Sequence, residues 1–499
     1  MSSPLPPAAR SVPGENKLQH VQRLLDVLRT DLDEKNLSSS ERAATLEKLK
    51  VYGRDPKQCD PIFSKEGIET IGEHGFVDGS DCPAAREALR CLANALLLVP
   101  RTRQIFVDLG FPVKAAAKFA NASVDDEFLL ARLMLLITYG TTVDLESLLS
   151  EQKLEQSIDE ALARHAKTYS GDEKARSPSA MDEMALSETL KLVFNLSHFV
   201  KDREDLFIKS VPHLLAILRG RELPPFPLQP PITFVINALI NMDLSASKDD
   251  AFPPSDPLCN VRRLVEILDK SIDANLGFPA STSWDENGAP LITLLRRIVQ
   301  TPEEEVKSYL KKQLLPSEEE RNQPLGKGTS LAARLLQQSN SASSPNTRES
   351  VSYLLFELSN SNVQEFILNV GYGYASGFLV SHNIPIPTET FQADAAASSA
   401  SKPINPITGQ TLESEQAAAD PFEGKTEEEK EREAERLFVL FERHGNTPIP
   451  LFYRFTRRLV SRAWANLRPR SRLKKTGVVK VKNPVEQAVE EGRFQELDD

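Results

Sequence analysis

The sequence has few of the residues that build metal centres, redox sites or disulfide scaffolds. Its four cysteines, Cys59, Cys82, Cys91 and Cys259, form no CxxC pair and do not stand at Cys/His metal-ligand spacing. Its seven histidines include no HExxH motif and no pair four residues apart. Cysteines this sparse are typical of reduced thiols in a cytosolic protein. We therefore expect no metal ion, no cofactor and no disulfide framework.

Long apolar runs and a targeting leader are also missing. No window approaches the roughly 18 uninterrupted apolar residues of a membrane-spanning helix, and residues 1–16, rich in Pro and Ser, lack the apolar core of a signal peptide and are expected to be disordered. The net charge of −11 argues against a general nucleic-acid binder, because neutralising phosphates needs a basic surface. The sequence predicts a cytoplasmic protein without an integral membrane segment. Recruitment to the plasma membrane or cell cortex stays open.

Amphipathic helices, in contrast, are abundant. Residues 17–32 place Leu18, Val21, Leu25 and Leu28 on one face, with the spacing of an amphipathic helix. The same pattern recurs in the segments 84–99, 124–138, 182–200, 257–275, 287–300, 327–338 and 347–359. No segment shows the alternation of a half-buried strand. We therefore predict an all-α fold.

A repeat runs through these helices. Four segments share one register of acidic, apolar and polar positions: Glu47-x-Leu49-Lys50-x-Tyr52-x-Arg54, Glu87-x-Leu89-Arg90-x-Leu92-x-Asn94, Glu188-x-Leu190-Lys191-x-Val193-x-Asn195 and Glu349-x-Val351-x-x-Leu354-x-Phe356. A looser copy ends at Asn241, with Asn237 one turn earlier. The first two copies are 40 residues apart, close to the period of armadillo and HEAT units. Since stacking buries a face that no unit covers alone, we predict an armadillo/HEAT-like, right-handed superhelical solenoid over residues 17–383.

The composition changes after this region. Residues 384–425 are poor in bulky apolar side chains, contain the motif NPITG, and are expected to be a linker. Residues 426–443 are predicted to form a helix, because Thr426 and Glu429 make a capping box. The apolar strip of that helix consists of Leu437, Leu440 and Phe441.

The C-terminal end contains an unusual basic stretch. Residues 444–472 are strongly basic in an acidic protein, and we interpret them as a retained intron or a lineage-specific insertion. A basic helix on a membrane surface, around residues 452–464, is the functional alternative, and it would give a peripheral membrane contact. Residues 473–499 are predicted to carry a final helix that begins near Asn483.

Signatures of catalysis are weak. Gly326-Lys327-Gly328-Thr329 looks like a fragment of a phosphate-binding loop, but the earlier glycine of the Walker spacing is replaced by Arg321 and the local pattern is helical. Entry into a helix is the better interpretation. His198 and His213 lie near helical stripes, which favours core-edge positions over metal ligation. No catalytic constellation emerges, and we expect the protein not to be an enzyme.

The polar positions of the register favour binding instead. Arg54, Asn94, Asn195 and Asn241 recur at one edge of the repeated helices, where a carboxamide could pair with the backbone of a bound peptide. Alternatively, these side chains cap neighbouring helix ends or bond across repeats. Lys50 and Arg54 add positive charge that could meet a partner's terminal carboxylate.

Several ordered motifs resemble the synembryn family, named for resistance to cholinesterase inhibitors. They are ALRCLAN at 88–94, RLMLLIT at 132–138, LKLVFN at 190–195, SYLKKQLLP at 308–316, SYLLFEL at 352–358, GYGYASG at 371–377, INPITG at 404–409 and PFEGKTEEEK at 421–430. The resemblance covers about residues 40–443, with gaps, and the order of NPITG before PFEGKTEEEKE is its most specific part.

The resemblance implies a partner and a mechanism. Family members bind α subunits of heterotrimeric G proteins, hold the subunit's C-terminal helix on the concave solenoid face, and contact the nucleotide side with a C-terminal helix of their own. GDP leaves, GTP later releases the complex, and the same grip assists folding of new α subunits. We expect a monomer that binds the GDP-bound and nucleotide-free states. The residues implied in binding are Lys50, Arg54, Asn94, Arg132, Asn195, Asn237, Asn241, Arg348, Leu437, Leu440 and Phe441.

Exchange of this kind would need no acid, base or metal. A protein that prefers the nucleotide-free state weakens GDP binding by the same factor, through thermodynamic linkage. The main rival interpretation is an armadillo adaptor that binds linear peptides for another pathway. Deleting residues from 402 onward would separate the two, because an adaptor should keep its partner, whereas an exchange factor should lose most of its activity.

Overall fold

The structure, a computed structural model, describes residues 5–13, 15–77, 82–169, 178–276, 282–387 and 403–417. Among these residues there are α-helices and short 3-10 turns, and the only extended pairing is a single antiparallel bridge between Ile404 and Thr411. The prediction of an all-α fold is confirmed. The predicted helix of residues 426–443 and everything beyond it lie outside the described residues.

The helices follow one another with short connections. The first seven are α1 Lys17–Glu34, α2 Ser39–Tyr52, α3 Lys65–Gly75, α4 Pro83–Leu98, α5 Arg101–Asp108, α6 Phe111–Phe119 and α7 Val124–Ile137. The next seven are α8 Leu145–Ser150, α9 Leu154–Lys167, α10 Ala180–Phe199, α11 Ser210–Gly220, α12 Ile232–Ile240, α13 Lys248–Ala251 and α14 Cys259–Leu276. The last seven are α15 Thr282–Val299, α16 Glu304–Leu314, α17 Leu331–Gln338, α18 Pro345–Leu358, α19 Val363–Val370, α20 Tyr372–Ser381 and α21 Leu412–Ala417.

Side-chain caps fix where several helices begin. Asn16 and Gln19 form a reciprocal capping box at the start of α1, and Ser38 and Glu41 form another at the start of α2. Helix α17 begins four residues later than the periodicity of 327–338 predicted, because the hydroxyl of Ser330 accepts the amide of the third helical residue and sets the first turn there.

Seven helices pack in succession and form what we name the repeat row: α2, α4, α7, α10, α12, α15 and α18. The four copies of the sequence register lie in α2, α4, α10 and α18, and the looser copy lies in α12. Helices α7 and α15 fill the two long intervals between copies. The remaining helices pack beside the row, with α3, α6, α9, α11 and α14 following one another along the chain. The fold is thus a helical solenoid of stacked repeats.

The buried apolar side chains form one connected core. It begins at Ala9, runs through every helix of the repeat row and ends at Leu379. Stacked repeats predict such continuity, because each unit covers the apolar face of the next. No helix of the described residues has the length and apolar character needed to cross a membrane.

Two segments for which the sequence predicted no structure are folded in part. At the N-terminus, residues 7–9 make a 3-10 turn, Ala9 is fully buried, and its carbonyl lies 3.0 Å from the Nε2 atom of His20. In the expected linker, residues 403–417 form a turn around the NPITG motif followed by α21, and the turn packs on the last helices of the solenoid.

Candidate protein-binding surface

The first two helices of the repeat row, α2 and α4, are joined by an ion-pair cluster. The ammonium of Lys50 in α2 lies 2.5 Å from one carboxylate oxygen of Glu87 in α4, and both side chains are only 15% exposed. Arg90, one turn further along α4, donates to the other oxygen of Glu87 at 2.5 Å. Lys50 therefore holds two repeats together, and little of its charge is available to a partner.

The same arrangement recurs two helices later. Arg132 of α7 lies 3.2 Å from the carboxylate of Glu188 in α10, and Lys191, one turn further along α10, donates to the same carboxylate at 2.8 Å. The Arg132 guanidinium also lies over the ring of Phe128, 5.1 Å from its centre. Because Glu188 is buried, its charge depends on these two cations, and removing both would leave it without a partner. The acidic position of the register, followed three residues later by a cation, is the sequence signal for these clusters.

Two asparagines of the register bond between repeats. Asn195 is buried, and its amide donates to the hydroxyl of Thr138, the residue directly after α7, at 2.8 Å. The amide of Asn241 donates to the carbonyl of Phe194 and to the hydroxyl of Ser197, both at 3.2 Å. These bonds match the alternative that the sequence left open. They also join like ends of successive helices, so α7, α10 and α12 run parallel.

Two other register positions face outward. Arg54 is exposed and Asn94 is half-buried, and neither makes a hydrogen bond or ion pair with another described residue. Arg348, near the start of α18, is also exposed and makes a long bond of 3.4 Å to the carbonyl of Ser341. Leu437, Leu440 and Phe441 lie outside the described residues.

Large apolar side chains lie exposed at the C-terminal ends of four consecutive row helices. They are Val51, Leu97, Leu98, Tyr139 and Phe199, each between 40% and 51% exposed, and we name them the apolar stripe. Arg54 follows Val51 by three residues, and Asn94 precedes Leu97 by three. Exposed large apolar side chains with polar neighbours are candidates for contact with a partner. The stripe with these two polar neighbours suits one face of an amphipathic helix.

A groove of about 640 Å³ lies between α10, α12, α15 and α18. Its lining comprises Phe194, Asn237, Ile240, Asn241, Asp285, Glu286, Ala289, Pro290, Thr293, Arg296, Asn346, Glu349, Ser350 and Tyr353. The structure thus brings Asn237 and Asn241 together on one wall, whereas Lys50, Arg54 and Asn94 lie several repeats away.

The groove is acidic, and among the described residues that line it the one cation, Arg296, is held in place. Arg296 donates to the carboxylate of Glu357 at 2.7 Å and stacks over the ring of Tyr353, 4.4 Å from its centre. Glu286 and Glu349 are exposed on the groove wall. A bound segment would therefore meet a mainly negative surface with apolar and amide groups between the charges.

The weak catalytic candidates have structural roles. Gly326 accepts a bond from Gln337 at 2.6 Å, and the cavity beside the GKGT segment, about 10 Å³, is far too small for a nucleotide. His198 stacks against Phe194, and His213 lies 3.7 Å from Asp159. Among the described residues no group of three or more His, Cys, Asp or Glu side chains could hold a metal ion.

None of the four cysteine thiols forms a disulfide bond. All four cysteines are free, and Cys91, fully buried, donates to the carbonyl of Leu46 at 3.3 Å. Burial raises the pKa of the Cys91 thiol well above its ordinary value. A thiol held protonated in this way is a packing group and an unreactive one.

The family model described as guanine nucleotide exchange factor synembryn, Ric8, matches residues 45–493 of the chain. The chain is 25% identical over 462 residues to Chaperone Ric-8A of Macaca fascicularis, covering 85% of this chain and 84% of that protein. It is 24% identical over 461 residues to Chaperone Ric-8A of Gallus gallus, covering 82% of each. It is 26% identical over 336 residues to a synembryn-like chaperone of Schizosaccharomyces pombe, covering 62% of this chain and 56% of that one. Among solved structures, the crystal structure of Uso1-2 is similar at a TM-score of 0.40 and 12% identity, over 70% of this chain and 57% of that chain.

Proposed function

The chain belongs to the synembryn family of guanine nucleotide exchange factors, and we propose on that basis that it binds α subunits of heterotrimeric G proteins, promotes their release of GDP and assists their folding. The family match over nine-tenths of the chain is the observation that carries the proposal. The named relatives are chaperones, which supports the folding role. We place this activity in the cytoplasm and assign it to a monomer.

The surface on the repeat row supplies the main contact in this proposal. The C-terminal helix of the α subunit would lay an apolar face on the stripe and continue toward the acidic groove. Arg54 and Asn94 would meet its polar groups at one end, and Asn237 and Asn241 at the other. Three further residues would support this contact indirectly, because their bonds between repeats keep successive repeats in register: Asn195, Lys50 and Arg132. An amphipathic helix in such a groove is a recurrent mode of recognition.

The C-terminal region supplies a second contact. We assign residues 426–443, with Leu437, Leu440 and Phe441, to the nucleotide side of the α subunit. The two contacts can form together only when the subunit's terminal helix has moved away from the nucleotide pocket. Binding through both contacts therefore favours the nucleotide-free state. A preference of about 5.5 kcal/mol is enough to move such an equilibrium from 1:99 to 99:1. No catalytic group takes part.

The test is the rate of GDP release from a purified α subunit at increasing concentrations of the full chain. We expect a saturable acceleration and a nucleotide-free complex that GTP dissociates. An unchanged rate at saturating concentration would reject the exchange role. A peptide-binding adaptor of another pathway would keep its own partner after residues from 402 onward are deleted, and neither form would accelerate GDP release.

A further inference from the structure

Within the part of the chain that the structure describes, a buried arginine outside the repeat row donates hydrogen bonds to main-chain carbonyls only. Arg321, in the connection between α16 and α17, is 6% exposed. Its guanidinium donates to the carbonyls of Leu368 and Asn369, at the C-terminal end of α19, and to the carbonyl of Gly409, each at 2.9 Å. The first two carbonyls belong to the last turn of a helix, where no intrahelical donor is available and a positive charge is favourable.

The third carbonyl belongs to a compact turn formed by residues 405–409. The amide of Gly409 donates to the carbonyl of Asn405, and the Asn405 side chain accepts the amide of Ile407, at 2.8 and 2.9 Å. Gly409 has a φ of +75°, which favours glycine, and a Cβ atom there would lie 2.5 Å from Leu325. The turn is therefore shaped to fit closely against the solenoid.

The turn also caps a helix of the solenoid. The amides of Tyr372 and Gly373, in the first turn of α20, donate to the carbonyls of Pro406 and Ile407 at 2.8 and 3.2 Å. These amides have no intrahelical acceptor, so the turn satisfies groups that would otherwise need water. On the other side, the amide of Thr411 donates to the carbonyl of Arg321 at 2.9 Å.

We propose that Arg321 and the turn of residues 405–409 form a clasp that positions the C-terminal segment for its contact with the α subunit. The proposal rests on the proposed function. With the clasp closed, Thr426 follows the docked residue Ala417 by nine positions (426 − 417), a span of at most about 30 Å. Without the clasp, the preceding anchor is the end of the solenoid at Pro387, which Thr426 follows by 39 positions (426 − 387).

The length of this connection sets the direction of the expected effect. The effective concentration of a second, linked contact falls when the connection becomes longer than its span requires. Opening the clasp lengthens the connection from nine residues to 39 and is therefore expected to lower that concentration. Arg321 is in this sense a positioning residue, because it touches neither nucleotide nor partner.

The experiment opens the clasp from both sides in the full chain. Gly409→Val disrupts the turn, and Arg321→Gln removes the guanidinium. Gly377→Val is the matched control, because Gly377 lies exposed in α20 with no atom within 4 Å of its added Cβ. Hydrogen exchange over residues 403–417 reports the state of the clasp, and GDP release from a purified α subunit reports its effect.

We expect both clasp variants to speed hydrogen exchange in 403–417 and to raise the chain concentration for half-maximal GDP release severalfold, with an unchanged plateau rate. The double variant should be no worse than either single one, since both open the same contact. Faster hydrogen exchange with an unchanged half-maximal concentration would overturn the proposed role of the clasp. Unchanged hydrogen exchange in both variants would overturn it too, as would a double variant whose effect on GDP release is the sum of the two single effects. If the unmodified chain fails to accelerate GDP release, the proposed function itself falls.

Discussion

The side-chain amide of Asn195 donates a hydrogen bond of 2.8 Å to the hydroxyl of Thr138 and thereby joins the C-terminal ends of α10 and α7. The two residues are 57 positions apart, and both are buried. A polar bond in the interface between repeats fixes the register of one helix against the next, because a shift along the helix axis would leave a buried amide without an acceptor. The apolar stripe depends on that register.

Replacing Asn195 should therefore affect stability. We expect Asn195→Ala to lower the free energy of unfolding by about 1–3 kcal/mol, since it removes a buried hydrogen bond. Asn94→Ala, at a half-buried register position without a bond to another described residue, should change it by less than about 0.5 kcal/mol. Urea unfolding followed by circular dichroism measures both. Equal losses in the two variants would contradict the separate roles of these asparagines.

Reversing the charge of Arg54 should affect binding without affecting the fold. Arg54 is exposed and makes no ion pair with another described residue, so Arg54→Glu should leave the unfolding midpoint unchanged. We expect its Kd for the nucleotide-free α subunit to rise about tenfold, which corresponds to about 1.4 kcal/mol. Arg101→Glu on α5, also exposed, is the matched control and should bind normally. Loss of helicity in Arg54→Glu would instead give this residue a structural role.

Filling the groove should block the partner. Ser350→Trp places a large ring between α12, α15 and α18. We expect it to weaken binding of the α subunit at least tenfold while the melting temperature changes little. Val113→Trp, at an exposed position of α6, controls for an added surface tryptophan. Isothermal titration calorimetry gives both affinities, and normal affinity in Ser350→Trp would place the contact elsewhere.

Acidification should loosen the first repeats through His74. Burial lowers the pKa of His74, whose Nε2 atom lies 2.9 Å from the carbonyl of Leu28, below the ordinary histidine value of about 6.5. Below pH 6.5 the unfolded chain therefore binds a proton at His74 more readily than the folded chain does. This contribution to stability is present above pH 6.5 and is lost as the pH falls toward the lowered pKa of the folded state.

The variant His74→Gln isolates this effect, because glutamine can donate to Leu28 and does not titrate. We expect the drop in urea midpoint between pH 7.5 and 5.5 to be smaller in His74→Gln than in the unmodified chain. The pKa values of Asp31 and Glu127 are also lowered, but carboxylates with depressed pKa values lose their contribution below about pH 4 and stay outside this window. An identical drop in both proteins would contradict the role of His74.

Local periodicity predicted the helices well, because the buried apolar face of a helix is encoded by about twenty consecutive residues or fewer. The segment 84–99 corresponds to α4, Pro83–Leu98, and 182–200 corresponds to α10, Ala180–Phe199. The register also identified helices that pack in one row, since stacked repeats need equivalent positions. The register alone could not tell Asn195 from Asn94, because that difference depends on the depth of each position between neighbouring helices.

Contacts to main-chain atoms explain most of what the sequence did not predict. Arg321 binds three carbonyl groups, and a carbonyl is present at every residue, so nothing in the sequence marks the partners. The docked turn of residues 405–409 was expected to be linker, because its composition is that of a loop and its fit depends on the ends of α19 and α20. Apart from Asn237 and Asn241, the groove lining was missed for a similar reason, since four helices supply it from positions spread over more than a hundred residues.

The most direct test of the central claim is a closed thermodynamic cycle. The Kd of the full chain for the α subunit is measured with saturating GDP and without nucleotide, which gives the first ratio. The Kd of GDP for the α subunit is measured with and without the chain, which gives the second. Exchange by differential binding predicts that the two ratios are equal and much greater than one, because coupling between sites is reciprocal. Equal affinity for the GDP-bound and nucleotide-free subunits would contradict the account.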